Sequence, residues 1–270
     1  MMGQGQELGS ALEIVKLTDP GMIRSHNEDS VGFDADAGFV ILADGMGGYN
    51  AGEVASGMAV AMLSDNLKAA LRDGRRDMEV LAREEVQKTN GAIFQAAQSQ
   101  PQYNGMGTTL VLALFRDNRI TVAHIGDSRL YRLRGEQFEQ ITRDHSLLQE
   151  QIDSGMITRE DARHSHNKNL VTRALGVDAE VEAEVHEYPV LPGDLLLLCS
   201  DGLNDMVTDE DIQLTLALMG SNLEMAAQQL VQMANDNGGR DNVSVILVRA
   251  VSDFSEKRNW FTRLLNWFGQ

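Results

Sequence analysis

Three apolar stretches of the chain each end in an aspartate next to a glycine. They cover residues 39–45, 122–127 and 195–202, and they end in Asp44-Gly45, Gly126-Asp127 and Asp201-Gly202. A continuous apolar run of this length is typical of a buried strand. One Asp-Gly pair is an ordinary turn signal, but three aspartates at strand ends can converge at one edge of a sheet. Converging carboxylates repel one another unless a cation neutralises them, so the pattern predicts a divalent metal site.

The rest of the hydrophobic pattern predicts grouped helices and strands. Helical spacing of apolar residues predicts helices over residues 53–72, 78–98, 146–154, 158–163 and 223–235, and another after Thr208. Thr158 with Asp161, and Thr208 with Asp211, have the spacing of a capping box. Alternating or continuous apolar segments predict strands over residues 108–115, 120–125, 130–133, 138–142 and 243–248. Short turns join the first four of these strands, which favours an antiparallel meander over a parallel doubly wound sheet.

Length and composition predict one domain with two short ends. No Pro- or Ser-rich linker divides the 270 residues, and the chain has four prolines. We therefore expect an N-terminal extension over residues 1–10, one compact domain over residues 11–252 and a tail over residues 253–270. The single cysteine, Cys199, lies in an apolar run and is predicted to be a buried thiol.

The charge balance disfavours one class of partner. The chain has 23 Lys and Arg against 40 Asp and Glu, a net charge of -17, so its surface repels nucleic acid and attracts cations. The first ten residues lack the basic and apolar regions of a signal peptide, and no apolar segment is long enough to span a bilayer. We expect a soluble, cytoplasmic protein.

Two further polar clusters precede strands instead of following them. Residues 24–29 (Arg-Ser-His-Asn-Glu-Asp) precede the first paired strands, and residues 238–242 (Gly-Gly-Arg-Asp-Asn) precede the last strand. In an antiparallel sheet the starts and ends of neighbouring strands share a rim. The predicted carboxylate cluster therefore consists of Glu28, Asp29, Asp44, Asp127, Asp201 and Asp241.

Six short motifs occur in order between about Glu13 and Ala250. They are Arg24-Ser25-His26-Asn27-Glu28-Asp29, Ala43-Asp44-Gly45-Met46-Gly47-Gly48, Gly107-Thr108-Thr109, Gly126-Asp127-Ser128-Arg129, Ser200-Asp201-Gly202-Leu203 and Arg240-Asp241-Asn242. Their order and spacing resemble the metal-dependent Ser/Thr protein phosphatases of type 2C, the PPM family, especially its compact bacterial members. The resemblance implies an α+β fold, a four-layer αββα sandwich with two central antiparallel sheets flanked by helical pairs.

The resemblance also implies the ligands of two core metal ions. Asp44 bridges the two ions, and the carbonyl oxygen of Gly45 contacts the second. Asp201 and Asp241 complete the shell of the first ion. Hard oxygen ligands suit Mg or Mn and are poor for zinc.

Further carboxylates have implied roles around these ions. Glu28 and Asp29 hold metal-bound waters. Asp127 together with Asp201 resembles the third-metal site of bacterial relatives, so a third ion is an open alternative.

The implied reaction is hydrolysis of phosphoserine and phosphothreonine in proteins. Two metal ions activate a water for direct attack on phosphorus, with no phosphoenzyme, so Asp44 is a catalytic as well as a metal-binding residue. Arg24 is the expected phosphate clamp, because its planar guanidinium can pair with two phosphate oxygens. The expected partners are phosphorylated proteins and an opposing bacterial Ser/Thr kinase, and the expected state is a monomer.

The general acid is left open by the sequence. Met46 stands where many eukaryotic relatives have a histidine. The alternatives are His26, His145 and a metal-bound water, and either histidine can instead satisfy loop hydrogen bonds. Residues 146–169 resemble the flap that borders the catalytic groove, although a plain surface loop has the same composition.

The C-terminal tail combines apolar and basic residues. Its apolar face consists of Trp260, Phe261, Leu264, Leu265, Trp267 and Phe268, and its basic residues are Lys257, Arg258 and Arg263. Such a helix can dock on its own domain, bind a partner or contact an anionic membrane surface. Docking on the domain is the favoured alternative.

Two other functions compete with the phosphatase hypothesis. A catalytically silent member of the family would use the fold for binding, but it would typically have lost metal ligands, and Asp44, Asp201 and Asp241 are present. A two-metal hydrolase of nucleotides or phosphodiesters is disfavoured by the acidic composition.

Overall fold

A computed structural model of the protein describes residues 8–48, 51–158, 161 and 170–255. Within these ranges the strands are β1 (Leu12–Asp19), β2 (Asp29–Asp34), β3 (Phe39–Met46), β4 (Gly107–Thr108), β5 (Leu110–Arg116), β6 (Arg119–Ile125), β7 (Arg129–Arg134), β8 (Gln137–Gln140), β9 (Glu184–Pro189), β10 (Leu195–Cys199) and β11 (Val243–Ala250). The helices are α1 (Leu8–Ala11), α2 (Ala51–Arg72), α3 (Met78–Ser99), α4 (Leu147–Asp153), α5 (Asp201–Asn204), α6 (Asp209–Met219) and α7 (Leu223–Asp236). A short 3₁₀ helix covers Pro101–Tyr103.

The strands form two sheets in which every described pairing is antiparallel. The first sheet has the order β1-β11-β10-β7-β8. The second has the order β2-β3-β5-β6-β9, with the short strand β4 paired to β3. The predicted preference for antiparallel over parallel pairing is confirmed.

Strand β3 shows how the layers pack. Phe39, Ile41 and Ala43 belong to a buried cluster shared with α2 and α3, whereas Val40 and Leu42 belong to a cluster that lies between the two sheets. The strand is thus buried on both faces, which explains its continuous apolar sequence.

The first sheet is covered on its outer face by other helices. A third buried cluster joins β7, β10 and β11 to α6 and α7. Together with the cluster under α2 and α3 and the one between the sheets, this gives the order helices, sheet, sheet, helices. The predicted four-layer αββα sandwich is confirmed.

Helix starts follow the capping signals of the sequence. The Asp211 N–H donates to Oγ1 of Thr208 (3.1 Å), and Thr208 Oγ1 donates to the Asp211 carboxylate (2.9 Å), so the predicted capping box begins α6. Ser146 caps α4 by accepting from the Gln149 N–H (3.2 Å). Each cap satisfies a backbone donor that has no partner within its helix.

Some predictions fall largely outside the described residues. Thr158 and Asp161 make the reciprocal hydrogen bonds of a capping box, each 3.1 Å from a backbone N–H. The rest of the helix predicted over 158–163, the polar loop that follows it and residues 256–270 of the tail lie outside the described residues. The tail's docking, partner and membrane alternatives therefore stay predictions.

The predicted meander is corrected by the structure. β5 and β6 pair in the second sheet, but β7 and β8 pair in the first, so the chain changes sheet at Gly126. This glycine has φ 99°, and a Cβ on it would lie 2.6 Å from Cγ2 of Thr109. Short turns and an alternating hydrophobic pattern predict the strands, but they do not predict which strands pair. The left-handed Gly126 turns the chain out of the second sheet.

The ends of the described chain pack near the domain core. Leu8 packs against the cluster between the sheets, and Phe254 is buried there, with its ring 6.4 Å from that of Phe115. The division into extension, domain and tail stays a prediction. None of the described helices is both long enough and apolar enough to cross a membrane.

Cys199 lies on β10 and is completely buried. Burial raises the pKa of its thiol to about 12. The predicted burial of this thiol is confirmed, and the raised pKa makes it unreactive.

Candidate metal centre

Two of the predicted ligands lie side by side at the rim of the second sheet. Asp29 is the first residue of β2, and its register partner on β3 is Asp44. Because the strands are antiparallel, the start of one meets the end of the other. The shared rim expected from the sequence is therefore present.

The backbone of Asp44 is held by two threonines. Its N–H donates to Oγ1 of Thr109 (3.0 Å), and its carbonyl accepts from the Thr109 N–H (2.9 Å) and from Oγ1 of Thr108 (2.9 Å). The Gly107-Thr108-Thr109 motif thus fixes the peptide that carries Asp44. The local sequence of this motif does not predict this role.

Gly45 allows a close approach of helix α2. A Cβ at this position would lie 2.1 Å from the carbonyl oxygen of Gly52, in the first turn of α2. The Gly45 N–H donates to the Glu28 carbonyl (3.0 Å). A glycine is needed here because any side chain would push the helix away from the rim.

Ser200 and Asn242 join the two sheets at this rim. Ser200 Oγ donates to Oδ2 of Asp29 (2.8 Å) and accepts from the Ser244 N–H (2.9 Å). Asn242 Oδ1 accepts from the Glu28 N–H (2.8 Å). Asp201 directly follows Ser200 at the end of β10, and Asp241 directly precedes Asn242 at the start of β11. These contacts therefore bring Asp201 and Asp241 next to the carboxylates of the second sheet.

Arg24 lies at the outer edge of the carboxylate cluster. Its Nη2 is 2.7 Å from Oδ2 of Asp241, and its side chain is 53% exposed. About half of the Arg24 side chain is therefore accessible to a group arriving from solvent. This position is compatible with the predicted phosphate clamp.

The carboxyl groups of the cluster strongly affect one another. Burial raises the pKa of Asp44 well above its usual range, and the charges of Asp29, Asp201, Asp127 and Asp241 add to this. Burial and the same kind of repulsion, led by Asp127, also raise the pKa of Asp201. Such mutual effects require the carboxylates to be close together.

The neighbouring acids are shifted in the same direction. Burial raises the pKa of Asp29 to about 6, against hydrogen bonds from Ser244 and Ser200, and burial raises that of Asp127 to about 6. Burial also raises the pKa of Glu28, against the opposing charge of Arg24. The protein alone thus leaves negative charge at the rim insufficiently compensated.

One buried oxygen tests whether this set fits a metal ion. Oδ1 of Asp29 is buried and has no hydrogen-bond partner, although buried carboxylate oxygens are almost always paired. It lies beside Asp44, in a donor set of hard oxygens that suits Mg or Mn. The residues fit divalent cations.

A cavity of about 370 Å³ opens beside Asp127 and Asp201. Ser146, Leu148 and Ile152 line the part of its wall formed by α4 and its cap. The beginning of the predicted flap therefore borders the carboxylate cluster.

Comparison with known proteins agrees with this geometry. The family model described as protein phosphatase 2C matches residues 24–245. The chain is 43% identical over 236 residues to a serine/threonine phosphatase stp of Listeria welshimeri, covering 86% of this chain and 93% of that protein. The chain belongs to the protein phosphatase 2C family. It is a metal-dependent serine/threonine protein phosphatase, as the ordered motifs implied.

Solved structures extend the comparison to the fold and the metal. The phosphatase is similar to Stp1 from Staphylococcus aureus, with a TM-score of 0.84, 36% identity and coverage of 92% of this chain and 99% of that one. It is also similar to the catalytic domain of PstP in complex with two manganese ions, with a TM-score of 0.80, 39% identity and coverage of 89% and 99%. These likenesses support the metal dependence.

Met46 and the candidate general acid His26 both lie near the rim of the phosphatase. Met46 ends β3, where it pairs with Gly107. His26 is exposed, and its carbonyl accepts from Nδ2 of Asn242 (2.9 Å). His26 is thus accessible to solvent beside Arg24 and keeps its place among the alternatives.

His145 has a different environment. Its ring is 7% exposed, Nδ1 accepts from the Gly126 N–H (3.2 Å), and Nε2 faces the Glu184 carboxylate (3.3 Å). Burial lowers its pKa, against the hydrogen bond with Glu184. Both ring nitrogens are engaged within the protein, which favours the predicted alternative of a loop hydrogen-bond role over proton donation.

A cluster of His124, His145 and Glu184 has the residue types of a second metal site. His124 Nε2 is 2.8 Å from the Arg143 carbonyl, so this nitrogen carries a proton and donates. The Gly126 N–H occupies Nδ1 of His145, so the proton of the neutral ring is on Nε2. Both ring nitrogens that point into the cluster carry protons, so neither offers a lone pair to a metal ion. The cluster is therefore a hydrogen-bond network.

Proposed function

We propose that Asp44, the Gly45 carbonyl, Asp201 and Asp241 hold the two core Mn or Mg ions of this phosphatase. The observation that carries the proposal is the unpaired buried Oδ1 of Asp29 beside Asp44. The ions, when bound, supply an activated water and offset the charge of the phosphate. The threonines behind Asp44 keep its carboxylate at the rim.

Glu28 and Asp29 form the second part of the proposal. The Asp29 carboxylate is oriented by Ser200 (2.8 Å), and the Glu28 backbone by Asn242 (2.8 Å). Their remaining oxygens are available to orient water around the core ions. Fixed acceptors of this kind reduce the reorganisation that the reaction requires.

Arg24 is proposed to bind the phosphoryl group. Its contact with Asp241 places the guanidinium at the edge of the carboxylate cluster. There the positive charge of Arg24 attracts the incoming phosphate dianion. The planar donor set can then pair with two phosphate oxygens. Arg24 thereby orients the phosphoserine or phosphothreonine towards the rim.

Asp127 and Asp201 are proposed to hold a third ion. Both line the same cavity, and the charge of Asp127 is the largest single contribution from another residue to the raised pKa of Asp201. This requires the two carboxylates to be close. The cavity gives a third ion access from the side of α4.

The proposed substrates are proteins phosphorylated by a bacterial Ser/Thr kinase. The support is the family and the names of the relatives, among them the serine/threonine protein phosphatase PstP of Mycobacterium tuberculosis, which is 43% identical over 237 residues. That match covers 87% of this chain and 44% of the relative. The cavity beside α4 offers room for residues flanking the phosphorylated side chain.

Hydrolysis of a phosphothreonine peptide tests the metal-site assignment. We expect turnover with Mn, its loss with chelator, and a loss of at least about 100-fold in Asp44→Asn, since a charged bridging ligand becomes neutral. Asp65→Asn, an exposed change on α2, is the matched control and should retain full activity. Metal-independent turnover, or full activity of Asp44→Asn, would refute the assignment.

A further inference from the structure

We propose that Glu184 is a positioning residue that acts through His145 on the turn carrying Asp127. The inference rests on the proposed role of Asp127 in binding the third ion. Its basis is a chain of hydrogen bonds that begins on the edge strand β9 and ends at the peptide before Asp127. None of these contacts involves a core metal ligand.

His145 holds both polar backbone groups of Gly126. Its N–H donates to the Gly126 carbonyl (2.8 Å), and its Nδ1 accepts from the Gly126 N–H (3.2 Å). Gly126 is the left-handed residue at which the chain leaves the second sheet. One residue thus fixes the conformation of the turn that points Asp127 into the cluster.

Glu184 stabilises the tautomer of His145 whose Nδ1 can accept the hydrogen bond from the Gly126 N–H. Nδ1 can accept from Gly126 when the proton of the neutral ring is on Nε2, and Oε2 of Glu184 lies 3.3 Å from that nitrogen. Removing the carboxylate removes the acceptor that keeps the proton there. With the proton on Nδ1, two N–H groups would face each other and the turn would loosen.

The surroundings keep this arrangement rigid. The ring of His124 stacks on that of His145, with centroids 4.7 Å apart, and His186 Nε2 is 2.9 Å from the other oxygen of Glu184. These contacts favour this relative orientation of the Glu184 carboxylate and the imidazole. The hydrogen bond to His145 is therefore directed as well as close.

A second contact holds the other side of the same turn. The Arg129 guanidinium makes hydrogen bonds of 3.0, 3.1 and 2.7 Å to the Asp144 carboxylate. Asp127 is thus flanked by two attachments to consecutive residues, Asp144 and His145, which directly precede the cap of α4. Loss of the Glu184 contact should loosen one of these attachments while the other keeps the turn folded.

A double-mutant cycle with Asp127→Asn tests the inference. The variants are Glu184→Ala, Asp127→Asn and their combination, assayed for kcat/KM on a phosphothreonine peptide and for Mn binding by calorimetry. We expect Glu184→Ala to lower kcat/KM about tenfold and to weaken the weakest Mn site. In the Asp127→Asn background it should change either quantity less than twofold, because coupled residues are not additive.

Conservative and control variants separate positioning from stability. Glu184→Gln keeps an acceptor oxygen for His145 and should restore most of the activity. Glu187→Ala, on the same strand, removes an ion pair with Arg119 and should change neither kcat/KM nor Mn binding. Equal urea midpoints for the two alanine variants would show that the effect of Glu184 is not a loss of fold.

The outcomes distinguish the inference from the proposed function. Additive effects of Glu184→Ala and Asp127→Asn, or no effect of either variant, would overturn the inference, while Mn-dependent turnover by the unaltered protein would still support the core site. Absence of turnover would count against the proposed function, and the Mn-binding cycle would then decide the inference by itself.

Discussion

The contribution of the carboxylate cluster to the free energy of unfolding of the metal-free phosphatase should increase as the pH falls from 8 to 5. Burial raises the pKa of Asp29 and of Asp127 to about 6, above the value of about 3.9 for an unfolded aspartate. An ionised group with a raised pKa destabilises the folded state. The penalty is complete above pH 6 and disappears as the pH falls towards 3.9.

The size of this effect follows from proton linkage. One pKa unit corresponds to about 1.4 kcal/mol, so each of the two carboxylates costs about 3 kcal/mol at pH 8 and about half of that at pH 5. For one aspartate the change between these pH values is about 1 to 2 kcal/mol. In a domain of this size that corresponds to a shift of about 3 °C in Tm.

Urea denaturation in chelator, at pH 8, 7, 6 and 5, measures the effect. Asp29→Asn keeps an oxygen that accepts from Ser200 but cannot ionise. We expect this variant to be about 3 kcal/mol more stable than the unaltered protein at pH 8, with the gap falling to about half of that at pH 5. Asp65→Asn, with an exposed carboxyl, corrects for general titration.

Manganese should reverse the trend, because the ion binds the ionised carboxylates. A concentration of 100 times Kd adds about 2.7 kcal/mol to the free energy of unfolding, and this increment should shrink as the pH falls from 8 to 5. Parallel curves for Asp29→Asn and the unaltered protein in chelator would refute the proposed electrostatics. So would an increment from Mn that grows towards pH 5.

Two further substitutions probe the rim. Arg24→Ala should raise KM for the phosphopeptide about tenfold or more and leave Mn binding by calorimetry close to unchanged, because a phosphate ligand is lost but no metal ligand; unchanged kinetics would remove Arg24 from the site. Gly45→Ala should abolish Mn binding, since its Cβ would lie 2.1 Å from the Gly52 carbonyl oxygen. Gly57→Ala is the control, because its Cβ would lie 4.0 Å from its nearest contact. This variant should bind Mn normally and be up to about 1 kcal/mol more stable to urea.

The strand-end carboxylates could be predicted because of the residues that precede them. A strand buried on both faces has a continuous apolar sequence, so the place where it becomes polar is visible in β3 and β10. The antiparallel rule then brought the carboxylates before β2 and β11 to the same rim. The hydrophobic pattern does not give the register between paired strands. The pairing of Asp29 with Asp44 is therefore known only from the structure.

Strand β9 was not predicted, and Glu184 was missed with it. Its sequence is Glu-Val-His-Glu-Tyr-Pro, and of these residues Val185 alone is buried. An edge strand with one buried side chain has no hydrophobic period to detect. A glutamate in such a segment has no local signal for the buried histidine that it contacts.

The roles of Ser200 and Asn242 also depend on pairing between distant segments. Each lies next to a predicted metal ligand, but its hydrogen-bond partner is far away in sequence: Asp29 for Ser200 and Glu28 for Asn242. Nothing in the local sequence of either segment specifies the other. Such contacts between sheets require the folded arrangement.

These two contacts also couple the metal centre to the closure of the sandwich. Asp29 and Asp44 belong to the second sheet, whereas Asp201 follows β10 and Asp241 precedes β11 of the first sheet, so their mutual repulsion acts across the interface between the sheets. Ser200 and Asn242 hold this interface at the rim, and the apolar cluster holds it below. An ion that neutralises the four carboxylates removes the repulsion at the same interface. Because the ion requires carboxylates from both sheets, its binding free energy is added to the free energy that keeps the sheets together.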